Sequence, residues 1–85
     1  MKRQELYSIY DKTAKMFAMP FPANSKAGAV RQVALETQNK KDSILVKYAQ
    51  DFALYLVEEF DTETGKFANY KEPVFIMELK DIVEK

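Results

Sequence analysis

The segment Phe60-Asp61-Thr62-Glu63-Thr64-Gly65 lies between two apolar runs, Asp51-Phe52-Ala53-Leu54-Tyr55-Leu56-Val57 and Glu72-Pro73-Val74-Phe75-Ile76-Met77-Glu78-Leu79. Asp and Thr side chains bond the neighbouring backbone, and Gly65 takes a positive φ without a Cβ penalty. The chain is therefore expected to reverse here, which makes the two runs neighbouring strands and fixes half of the fold.

The remainder has to come from a short chain. Eighty-five residues form a single domain, residues 1–85, with a small core. There is no cysteine to supply a disulfide or thiolate zinc site, and no histidine, the commonest general base and metal ligand. The composition fits a reducing compartment. The longest apolar run near the N-terminus, Met16 to Ala23, is interrupted by Pro20 and Pro22, so neither a signal peptide nor a membrane span is expected. The protein is expected to stay in the cytosol where it is made.

Leu6-Tyr7-Ser8-Ile9-Tyr10 alternates and is rich in β-formers, so it predicts a strand. Asp11-Lys12-Thr13 predicts a turn, and Lys15 to Met19 a short returning strand. Pro20-Phe21-Pro22 is expected to be an extended connector outside the sheet, because two of its residues lack an N–H donor. Asn24 or Ser25 caps a helix to about Gln38, with Ala29, Val30, Val33, Ala34 and Thr37 on one stripe. Gly28 inside that helix suggests close packing near the first turn. Asp42 or Ser43 caps a shorter helix from Ile44 to Ala49, where a strand is the competing reading. In the third strand, Phe52, Leu54, Leu56 and Phe60 are expected on one side and Tyr55 and Val57 on the other. In the fourth, Phe75, Met77 and Leu79 oppose Val74 and Ile76. The expected fold is α+β: an antiparallel sheet of about four strands, ordered β-β-α-α-β-β along the chain, with one main helix on one face. The second face could be covered by the short helix, by Ile82-Val83, or by another copy in a homodimer, which is the preferred reading.

Net charge is zero, but residues 1–41 carry eight Lys and Arg against three Asp and Glu, and residues 42–85 carry five against ten. Such a split points either to an oriented contact with a charged partner or to two halves that neutralise each other in the fold. The carboxylates Glu58, Glu59, Asp61 and Glu63 lack the further ligands of a calcium loop and read as a solvated hairpin tip. Two glycines, Gly28 and Gly65, cannot build a phosphate-cradling loop. No cofactor is implied, and an enzyme is the poorest reading. Lys12, Lys15, Lys26 and Arg31 stand near Tyr7, Tyr10, Phe17 and Phe21 in sequence. Cations and flat rings are the two ingredients of single-stranded nucleic-acid binding, although aromatics at strand spacing also build cores.

A wider pattern joins these pieces. A strand ending Tyr10-Asp11 leads to Ala14-Lys15-Met16-Phe17-Ala18-Met19-Pro20-Phe21, Asn24 and a helix with Ala29-Val30-Arg31. Asp51-Phe52-Ala53-Leu54-Tyr55, Phe60-Asp61-Thr62-Glu63-Thr64-Gly65 and Glu72-Pro73-Val74 follow. This order resembles the small nonstructural protein of gokushovirus-type Microviridae, phages with circular single-stranded DNA genomes, over about residues 5–80. The resemblance implies a non-catalytic accessory protein that binds single-stranded DNA or assists synthesis and packaging of the viral genome. Arg31 matches the family's helix arginine and is the first candidate for phosphate contact. Lys26, Lys15, Lys12 and Tyr10 complete the expected nucleic-acid-binding set. Val33 stands where family members often carry an aromatic, so no stacking role is implied there. The alternative is a protein–protein adaptor that docks on phage replication or capsid proteins, or on a host factor, without touching DNA.

Overall fold

A computed structural model describes residues 3–83. The long strand β1 (Arg3–Asp11) is followed by the two-residue β2 (Met16–Phe17) and by β3 (Phe21–Ala23). Helix α1 (Lys26–Asn39), the single-turn α2 (Ile44–Lys47) and a 3-10 turn (Ala49–Asp51) connect to β4 (Phe52–Asp61). Then come β5 (Val74–Glu78) and α3 (Leu79–Val83). The fold is α+β with one antiparallel sheet in the order β2-β1-β4-β5, and β3 joins β1 on the same edge as β2.

The connector expected at Pro20-Phe21-Pro22 is corrected by β3, which pairs Tyr7 with Phe21, Leu6 with Pro22 and Glu5 with Ala23. Proline is tolerated because β3 is an outer strand, where a nitrogen without a hydrogen leaves no ladder bond broken. Gln32 on α1 donates to the Pro22 carbonyl at 3.0 Å and fastens this edge to the helix. The returning strand is shorter than expected, since only Met16 and Phe17 pair with β1.

Helix α1 starts where Ser25 Oγ accepts the Gly28 amide at 3.0 Å. A Cβ on Gly28 would lie 3.3 Å from that oxygen, so glycine keeps the cap close. The expected stripe faces inward: Ala29, Val33 and Thr37 are buried, and Val30 and Ala34 pack at the margin. Val33, the departure from the family pattern, is thus a core residue. Tyr7, Phe52 and Leu54 meet this stripe, and Leu79 and Ile82 of α3 and Leu45 of α2 join the same cluster. All three helices therefore lie on one face. Neither the short helix nor Ile82-Val83 covers the second face.

Two bulges reassign the strands. Leu6 pairs with Glu58 and Tyr7 with Leu56, which leaves Val57 as an extra residue in β4. Leu54 pairs with Met77 and Tyr55 with Phe75, which leaves Ile76 extra in β5. An extra residue shifts the alternation by one. Phe60, opposite Gln4, therefore faces away from Phe52 and Leu54, contrary to the simple alternation. Phe75 likewise faces away from Met77, and Leu79 leaves the strand to begin α3.

Both hairpin loops use one device. Asp11 Oδ1 accepts the amides of Thr13 and Ala14, and the Lys15 amide returns to the Asp11 carbonyl with Lys15 at φ 59°. Asp61 Oδ1 accepts the amides of Glu63 and Thr64, and the Gly65 amide returns to the Asp61 carbonyl with Gly65 at φ 75°. The second loop leads first to Phe67, bridged to Phe60, and reaches β5 only after residues 69–73. The turn forms as expected, but the register of β5 is set further on, at its bulge.

The intervening loop is pinned by carboxylates. The Tyr70 amide donates to Glu58 Oε2 at 3.1 Å, and the Tyr70 hydroxyl donates to Glu59, which Arg3 also contacts at 3.0 Å. The Tyr70 hydroxyl bond, with the Arg3 guanidinium, holds the Glu59 carboxyl below its ordinary 4.5. The same bond, helped by burial, pushes the Tyr70 hydroxyl up to about 12. Burial first, and the 2.6 Å bond to Glu5 second, raise Tyr7.

Gly65→Ala should cost about 1 kcal/mol through the positive φ alone, since nothing lies within 4 Å of an added Cβ; urea unfolding measures it. A loss below the error of the titration would mean that the loop relaxes. Glu59 ionises more readily folded than unfolded. Its contribution is therefore complete above pH 4.5 and fades as pH falls through its folded value. Glu59→Gln should lower the Tm near neutral pH and converge with the parent protein in acid, as followed by circular dichroism.

Candidate functional site

The face opposite the helices carries an aromatic row. Tyr10 on β1 pairs with Phe17 on β2, Tyr55 on β4 pairs with Phe75 on β5, and Tyr10 and Tyr55 are diagonal neighbours across β1 and β4. Ring centroids are 4.6 Å apart for Tyr10–Phe17, 5.8 Å for Tyr10–Tyr55 and 5.7 Å for Tyr55–Phe75, and the last two contacts are edge-to-face. Phe17 and Tyr55 also meet at 5.5 Å. Four rings thus run across four strands as one packed unit, an arrangement favoured by the ring quadrupoles. The two ends are open: Phe17 is 43% exposed and Phe75 50%. With neighbouring strands ~4.8 Å apart, those ends lie ~14 Å from each other.

The ground around the row is polar but satisfied. Ser8, opposite Tyr55, is sealed by a 2.7 Å hydrogen bond to the Ala18 carbonyl. Lys12 Nζ meets Glu78 Oε1 at 2.6 Å, and Ala53, which pairs with both Tyr10 and Glu78, is buried. Around the β2 edge, a groove of ≈ 360 Å³ is lined by Ile9, Met16, Ala18, Ile44, Leu45 and Phe52. Among the described residues, no group of three or more carboxylates gathers as a metal site. The Asp61 carboxylate, held below its ordinary range chiefly by the Glu63 amide, is committed to its own loop.

The expected nucleic-acid set is divided by the sheet. Tyr10 lies in the row, Lys12 and Lys15 in the β1–β2 loop beside it. Lys26 and Arg31 are exposed on α1, whose buried stripe faces the other side of the sheet. Sequence reasoning placed Tyr55 opposite the core side but missed its partnership with Tyr10 and Phe75. The available signal was an aromatic at matching positions of paired strands, and it becomes visible only once register is known.

A family model described as Phage ORF5 protein matches residues 4–82. The chain belongs to this family. A relative, Protein ORF5 of Chlamydia phage 1, is 33% identical over 66 residues, covering 72% of this chain and 67% of the relative. No solved structure matches. The chain is thus similar to a small protein of a Microviridae-type phage, as its motifs implied. No helix among the described residues is long and apolar enough to cross a membrane.

Proposed function

We propose that this member of the Phage ORF5 family is a non-catalytic accessory protein that binds single-stranded DNA across the open face of its sheet. The reading assigns it to synthesis or packaging of the phage genome in the host cytoplasm. The observation that carries the proposal is the row Phe17–Tyr10–Tyr55–Phe75. Bases stack on such rings without regard to sequence, while nearby cations follow the phosphates. Lys12 and Lys15 are the candidates for that role. Arg31 and Lys26 lie on the helical side and lose their leading place to the aromatic row.

The test is fluorescence anisotropy of a labelled oligothymidylate at low and physiological salt. Affinity should fall steeply with salt, because counterions released from the phosphates gain less entropy in a more concentrated bulk. Phe75→Ala, at a half-exposed site, should weaken binding about tenfold by removing a stacking ring, whereas Arg31→Ala should stay within about twofold. Absence of binding at tens of micromolar protein in low salt would sink the proposal.

A second reading, an adaptor for phage replication or capsid proteins or a host factor, is favoured by the outer strand β5, where Val74 and Phe75 are exposed. A partner retained from infected cells after nuclease treatment would support it. A homodimer that buries the same face competes with DNA. Light scattering should then give a dimer that dissociates when oligonucleotide is added.

A further inference from the structure

The Lys12–Glu78 pair crosses the sheet beside the aromatic row, from the end of β1 to β5. Lys12 follows β1, where its amide is fixed by the Asp51 carbonyl at 2.8 Å, and Glu78 closes β5. Between them on β4 lies Ala53, whose strand partners are Tyr10 and Glu78. Ala53 stands on the face that the helices leave open and yet is only 1% exposed. The pair links the strands on either side of it, with Nζ and Oε1 2.6 Å apart and the two side chains 42% and 29% exposed.

A carboxylate oxygen on an ammonium occupies the position and charge that a phosphate oxygen would take. A half-exposed pair of this kind is weak and exchangeable. We propose that Glu78 is a positioning residue of the open face: it holds Lys12 in place of a phosphate, and a bound single strand must displace it. This inference rests on the DNA-binding reading and assigns that face a built-in competitor. Lys12 is then held extended over the sheet, while Glu78 lowers the affinity for any short anionic strand. The resulting face engages and releases DNA readily.

The experiment compares the parent protein, Glu78→Gln, Lys12→Met and the double variant by anisotropy with a labelled oligothymidylate over a range of salt. Glutamine keeps the side chain's size and shape and removes the charge. Glu78→Gln should bind about threefold more tightly at low salt. Its plot of log affinity against log salt should steepen by about 0.7, the increment for one more phosphate neutralised on a single strand. Lys12→Met should erase that gain in the Glu78→Gln background and weaken the parent protein less. Asp81→Asn, an exposed change on α3 with the same effect on net charge, should reproduce neither the tightening nor the slope. Equal gains from Asp81→Asn and Glu78→Gln would reduce the effect to net charge and overturn the inference. So would an unchanged affinity and slope in Glu78→Gln, or an equal loss from Lys12→Met in both backgrounds. In these three outcomes the parent protein still binds, and the DNA-binding reading survives. If neither the parent nor Glu78→Gln binds, both are overturned.

Discussion

The β1–β4 ladder joins the start of the chain to its second half, from Arg3 opposite Asp61 to Asp11 opposite Phe52. Closing a loop of that length sets an entropic cost that local turns cannot offset, so the ladder forms only together with the core that it supports. Tyr7 and Leu54, fully buried on these two strands, are the floor on which α1 and α3 rest. Both edges depend on it: β2 and β3 dock on β1, and β5 docks on β4.

The fold also accounts for part of the charge split between the two halves. Arg3 meets Glu59 and Lys12 meets Glu78, so each of these pairs matches a cation of the basic half with an anion of the acidic half. The asymmetry in sequence thus serves, in part, to join strands that are distant along the chain. Beside these pairs stand an aromatic row flanked by the β1–β2 loop, and a separate helical surface bearing Lys26 and Arg31.

Much of the scaffold was legible. The Ser25 cap, the stripe Ala29-Val33-Thr37, the short helix after Ser43 and the turn at Gly65 follow from local chemistry, and each formed. The strand at Phe21–Ala23 was hidden because two prolines argue against a ladder, and only its outer position makes them harmless. The candidate site was less legible. Charge and sequence proximity grouped Arg31 and Lys26 with Tyr10, but the sheet stands between them. The row itself requires Phe75 to share a face with Tyr55, and strict alternation cannot give that relation together with Met77 opposite Leu54.

By itself, the sequence determined what short-range forces decide: the capped main helix and its buried stripe, the two turns, the long strands they join, and which phage family the chain resembles. Only the tertiary structure decided which side of the sheet each aromatic occupies. The reason is physical. A bulge is one unpaired residue whose position depends on how two strands distant in the chain come into register. Val57 and Ile76 carry no local mark that distinguishes them from their neighbours. That register turns Phe75 outward beside Tyr55 and places Glu78 opposite Ala53, within reach of Lys12.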